Sequence, residues 1–186
     1  MLGLSPLVVL LGLLAGLARG GRVSNIALSR FRAPWLVLSG LLIQATGTVM
    51  ALAAPDTGRR LYIWFLGASF ALLIAFALTN LRLSGMVIIA AGLAMNAAVI
   101  LLNDGMPVLR RAAEIAGLRA DKYLRLGVKH RAMGPDTVAG FFGDVIPVPV
   151  LKKVISAGDV LIGAGMFVLV DALVRYAPRR RESKGA

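Results

Sequence analysis

The sequence contains no cysteine, which excludes disulfides, iron–sulfur clusters and thiol nucleophiles. Its single histidine, His130, excludes a zinc site built on several imidazoles. Carboxylates are scarce, nine against 21 lysines and arginines, so acid–base chemistry has few candidates. Phosphate-binding loops, metal-ligand clusters and Ser–His–Asp arrangements are missing too, and neither a metal nor a cofactor is expected. Also lacking is room for a second soluble domain. The one long stretch outside the apolar segments is residues 103–158.

Apolar residues make up 58% of the chain, with a mean hydropathy of +0.80. A soluble domain cannot hide that much. The apolar residues fall into five segments, Leu2–Ala18, Ala33–Ala54, Leu61–Thr79, Ser84–Leu102 and Val160–Ala177. Each approaches the roughly 20 residues that cross a hydrocarbon core with their backbone internally satisfied. The pattern predicts an all-α protein: one polytopic helical membrane domain of about five transmembrane helices. A net charge of +12 would point a soluble protein towards nucleic acid. Here the basic residues lie between and beyond the apolar segments, so the expected partners are membrane lipids with anionic headgroups, and no nucleic acid.

The first segment has no basic residue before it, while Arg19, Arg22, Arg30 and Arg32 follow. A cleavable signal shows the opposite order, so the segment reads as a retained helix with its N-terminus outside. Among short loops and the tail (178–186), nine basic residues, or ten with Arg175 at the end of the last segment, then fall inside against Arg59 and Arg60 outside. Long loops such as 103–158 translocate with little regard to charge. The expectation is five spans in a bacterial plasma membrane, N-terminus outside and C-terminus cytoplasmic. Residues 137–151 are apolar but carry Asp144, Pro147 and Pro149, which fits a re-entrant or interfacial hairpin better than a sixth span.

Within the segments, Gly40, Gly47, Ala90, Gly92, Ala94, Gly163 and Gly165 offer small surfaces for close helix packing. Gln44, Thr46, Thr48 and Asn96 read as interhelical hydrogen-bonding groups. Asp171 precedes Arg175 by four residues, the spacing of a local ion pair. Trp35 and Trp64 sit near segment ends, where indoles anchor at the interface.

Chemistry, if any, belongs to residues 103–158. Pro107 suits the first position of a helix, with Asn103 or Asp104 as its cap. From Val108 to about Leu126 the pattern is amphipathic, with Val108, Ala112, Ile115 and Ala116 on one face. Arg110, Arg111, Arg119, Lys122 and Arg125 are polar and form a candidate headgroup-binding set, on a helix lying flat on the membrane and broken at Gly117. His130, between Lys129 and Arg131, reads as a solvated or interfacial residue, with a role beside Asp144 as the alternative. Asp144 and Asp159 flank the proline-rich hairpin. They read either as helix caps, with Ser156 near the second, or as a catalytic dyad in which one carboxyl keeps a proton while the other activates water.

The ordered set Asn103-Asp104-Gly105-Met106-Pro107-Val108, Gly143-Asp144-Val145-Ile146-Pro147 and Ser156-Ala157-Gly158-Asp159-Val160-Leu161 resembles an uncharacterised family of bacterial integral membrane proteins, a domain of unknown function. That resemblance implies a membrane location and no activity. Asp144, and Asp159 with Ile162 and Gly165, are also similar to the catalytic end of lipoprotein signal peptidases, which implies an aspartate pair. The sequence departs from that pattern at Ser156 (Asn in the family) and Gly158 (Ala), and it lacks the Gly-Asn-x-x-Asp-Arg element. Three functions stay open: a non-enzymatic scaffold or lipid-facing accessory protein, self-associating or bound to other membrane proteins; an intramembrane hydrolase using Asp144 and Asp159; and a small oligomeric transporter.

Overall fold

The computed structural model describes residues 5–176, without the side chains of residues 55–57, 59, 60, 125 and 126. Five apolar helices carry most of the described chain: α1 (Ser5–Ala18), α2 (Trp35–Ala53), α3 (Pro55–Thr79), α4 (Met86–Leu102) and α7 (Ala157–Arg175). Among the described residues, α2, the Leu61–Thr79 part of α3, and α7 are long and apolar enough to cross a membrane, while α1 and α4 are shorter apolar helices. Large apolar side chains such as Leu38, Leu42, Val49, Trp64 and Val87 stay exposed along them. That is the surface a hydrocarbon solvent favours.

The helices do not stand in chain order. α2 packs on α3, α3 on α4, α4 on α7, and α7 on α1, so the last helix is wedged between the fourth and the first. Small residues make both of its seams. A methyl group built on Gly92 of α4 would meet the Gly158 carbonyl oxygen at 2.6 Å, and one on Gly16 of α1 would meet the Val174 Cβ at 2.8 Å. Only backbones without a Cβ approach this closely. Gly40, Gly47 and Gly165 serve the same purpose elsewhere, whereas Ala94 is exposed. Ser69 of α3 donates to Gln44 of α2 at 3.5 Å; Thr48 bonds back to its own helix at the Gln44 carbonyl, and Thr46 is exposed. At one end of the bundle, Asp171 accepts from Arg175 at 2.6 Å, the expected ion pair, and also from Arg19, just past the end of α1, at 3.1 Å. Near that end the Asn80 side chain clasps the backbone N–H and carbonyl of Arg32, tying the first loop to the α3–α4 turn.

Residues 103–156 fold into a cap over the opposite end. Pro107 does not begin a helix. It lies in a three-residue strand, β1 (Met106–Val108), paired in parallel with β2 (His130–Ala132). The helices that follow are short, α5 (Arg110–Ile115) and α6 (Ala120–Leu126), separated at Gly117 (φ +74°) as the sequence predicts. Their apolar stripe also differs from expectation. Ala112, Ala113 and Ala116 pack with Val108, Ala120 and Val154 in a small cap core, and Ile115 faces outward. The alanines are thus covered by protein, in one cluster with Val108 of β1 and Val154 from the stretch that follows the prolines. Strands β3 (Ile146–Val148) and β4 (Lys153–Ile155) form an antiparallel hairpin from the proline-rich stretch.

Candidate functional site

Asp144 is fixed through its backbone. Its N–H donates to the Pro107 carbonyl at 2.8 Å and its carbonyl accepts from Leu109 at 3.0 Å, so it extends the β1 ladder as a third, parallel partner. The register of β1 with β2 puts His130 opposite Met106. Side chains alternate along a strand, so His130 turns inward while Arg131 turns out to Asp136. The outcome corrects the reading of His130 as solvated. Its imidazole is only 10% exposed, and Nε2 lies 3.7 Å from the Asp144 Oδ2. Tyr123 of α6 stacks on the ring with centroids 4.5 Å apart, and its hydroxyl is 3.3 Å from the same Nε2.

Asp159 is placed by α7. Ser156 is the N-cap of that helix, accepting from the Asp159 N–H at 3.0 Å, and the Asp159 carboxylate reaches back to the Ser156 N–H at 3.4 Å. This reciprocal capping box satisfies two backbone donors that a helix start leaves open. Asn96 of α4 joins it, donating to Asp159 Oδ1 at 2.9 Å and accepting from the Ser156 hydroxyl at 2.8 Å. Asp159 is therefore the third residue of the helix, rather than preceding it. Among the described residues no hydrogen bond joins the two aspartates, yet both line one cavity.

That cavity, about 280 Å³, opens between the cap, α1 and α7. Its polar wall is Asp144, His130, Tyr123, Asp159 and three lysines, Lys129, Lys152 and Lys153; its apolar wall includes Val8 of α1 with Ile162 and Met166 of α7. Lys129 and Asp159 also face a chamber of about 130 Å³ inside the bundle, where Gln44 and Asn96 project. His130 and Tyr123 also form part of the wall of a hollow on the outer side of the cap.

Burial dominates the electrostatics. It holds the His130 imidazole down at about 3, with the nearby Lys129 charge adding and the Tyr123 backbone opposing. Burial lifts Asp144 to about 7; Lys129 opposes this and Asp159 adds to it. Burial lifts Tyr123 to about 12, helped by both carboxylates. His130 and Asp144 are each driven towards neutrality, so their proximity is not a charged pair. Asp144 Oδ1 and His130 Nδ1 are buried with no hydrogen-bond partner, and such groups are rare in folded proteins.

The other sequence candidates scatter. Asn103 is a clasp, donating to the Val99 and Val138 carbonyls and accepting from the Val138 N–H. Asp104 takes a turn conformation at φ +49° and, with Arg110, lines an outward-facing hollow. Arg110 pairs with Asp121 at 2.7 Å. Arg111 is exposed, Arg119 and Lys122 border the outer hollow beside His130, and the Arg125 side chain lies outside the described residues. Sequence reading missed Tyr123, Lys129, Lys152 and Lys153. The Lys152-Lys153 pair after two prolines was the available signal.

The chain belongs to the family of unknown function DUF5317. Its family model matches residues 28–171, a stretch that carries α2 to α4, the whole cap and α7 as far as Asp171. Every titratable wall residue of the cavity lies inside the match, while Ser5 and Val8, contributed by α1, lie before it. Comparison with curated proteins and with solved structures gave no match.

Proposed function

We propose that this DUF5317 protein is a non-enzymatic, lipid-facing accessory protein that takes one anionic amphiphile into the cavity between the cap, α1 and α7. One observation carries the reading: a single 280 Å³ cavity has lysines and hydrogen-bonding groups at its cap end and apolar side chains of α1 and α7 at its other end. An anionic headgroup among Lys129, Lys152 and Lys153, with acyl chain against Val8, Ile162 and Met166, satisfies both ends. The outlying basic residues Arg111, Arg119 and Lys122 extend the same electrostatic attraction across the cap surface. The distribution of basic residues supports an orientation with the cap outside a bacterial plasma membrane and the Asp171 end inside.

The test is lipid retention by the purified full-length protein, read by native mass spectrometry against phosphatidylglycerol and phosphatidylcholine. Phosphatidylglycerol is expected to be retained preferentially. The Lys152→Gln/Lys153→Gln double variant should lose roughly 1 kcal/mol per charge, about fivefold each. Equal retention of the zwitterionic lipid, or no change in the double variant, would sink the proposal.

A second reading, the hydrolase, is favoured by the two aspartates lining one cavity. It asks Asp159 to leave its bonds to Asn96 and Ser156, which is why it stands second. Asp144→Asn and Asp159→Asn must both abolish turnover for it to hold.

A further inference from the structure

We infer that the cavity takes up its anionic amphiphile together with one proton, and that Asp144 is the residue that carries it. The inference rests on the lipid-binding reading above and deepens it by coupling binding to pH.

The geometry makes the coupling. Asp144 lines the cavity and is only 1% exposed. Its Oδ2 faces His130, while its Oδ1 is buried without a partner. A protonated carboxyl offers an O–H donor to a headgroup oxygen, and a charge-assisted hydrogen bond of that kind is among the stronger ones. An ionised carboxylate in the same place offers only lone pairs to an incoming anion and repels it in a site that screens poorly. The groups facing Asp144 fit this role. Tyr123 arrives from α6, His130 from β2 and Lys129 from just before it. Lys152 and Lys153 come from the hairpin, and Asp159 comes from α7.

The lysines hold the ligand's charge, while Asp159 adds a negative charge that disfavours a second one on Asp144. His130 is the competing proton carrier, but burial keeps it neutral throughout the neutral range. In that state Nε2 can accept from the Tyr123 hydroxyl 3.3 Å away, which leaves the single Asp144 proton for the headgroup. Because Asp144 titrates near pH 7, the donor is present below that pH and lost above it. Linkage then fixes the shape. Affinity is flat at acidic pH and falls towards tenfold per pH unit once the carboxyl ionises.

The experiment uses the full chain in neutral detergent and a short-chain phosphatidylglycerol, whose phosphodiester keeps its charge across the range. Calorimetric titrations at pH 6 to 9, in two buffers of different protonation enthalpy, read affinity and proton uptake together. The expected result for the native protein is uptake approaching one proton per lipid at pH 8 and roughly tenfold weaker binding at pH 9 than at pH 8. Asp144→Asn should bind at every pH with no proton uptake, because the amide supplies an N–H donor that does not titrate. His130→Gln should keep both the slope and the uptake.

Absence of uptake by the native protein would overturn the inference, and the buffer pair reads this even if a variant fails to fold. A pH slope that survives Asp144→Asn, or disappears in His130→Gln, would do the same by assigning the proton elsewhere. Lipid bound without pH dependence would leave the binding reading standing and remove only the proton. No binding at any pH would remove both. Inorganic sulfate, an anion with no acyl chain, is the chain-free arm. Sulfate binding as tight as the lipid's would overturn an amphiphile as the ligand, and much weaker binding supports it.

Discussion

Asp144 and His130 lie within 3.7 Å of each other and pull stability in opposite directions with pH. Asp144 is raised to about 7 by burial, so the folded state holds a proton that the unfolded chain releases from about pH 4 upward. Stability falls as pH rises from about 4 to 7 on its account. His130 is lowered to about 3, so the unfolded chain binds a proton that the folded state refuses, and stability falls as pH drops from about 6.5 to 3. In the native protein the two slopes offset across mildly acidic pH. Each single variant should expose the other's slope. Asp144→Asn should melt progressively lower on acidification below pH 6.5, and His130→Gln progressively lower on raising the pH from 4 to 7. Thermal melts in detergent across pH 4–8 check this. Parallel, unchanged profiles for both variants would mean that the pair is not buried as described. In the sequence the pair was only the alternative reading, because two charged neighbours surround His130 and the strand alternation of β2, which turns Arg131 away from it, was not legible.

At the scale of elements, the apolar helices were legible because each is a long run with one consistent chemistry. Even so, their termini shifted by a few residues, as with α7 beginning at Ala157 rather than Val160. The four strands of the cap were not legible. Each has three residues, too short for a period of two to register against a helical one, and Pro107 looked like a helix start since its missing N–H suits either role. Sequence also gave no means to find the partner of Asp159, because Asn96 is 63 positions away. The knot that joins α4 to α7 carries its own prediction. Ser156→Ala removes the cap and leaves the buried Asn96 Oδ1 without its donor, and should cost about 1–3 kcal/mol. Gly92→Leu, which drives a side chain into the Gly158 backbone, should be worse and prevent the two helices from closing. Melting temperature and resistance to proteolysis measure both. A Gly92→Leu variant as stable as the native protein would contradict the described crossing.

For the whole molecule, the basic residues predict that reporters fused to the two ends of the chain report opposite sides, the N-terminal one exported and the C-terminal one cytoplasmic. Ends on the same side would require an even number of crossings and dismantle the five-span arrangement. The seating of α7 between α4 and α1 bears on assembly as well. The Arg19–Asp171 contact joins positions 152 residues apart, and the glycine face of α1 rests on α7. A chain emerging from its N-terminus therefore holds its first helix without that neighbour until the seventh has been made. The cavity, which takes walls from both helices, is the last part of the protein to come into being. Any lipid seated there is enclosed at the end of biogenesis, when the first and last helices meet around it.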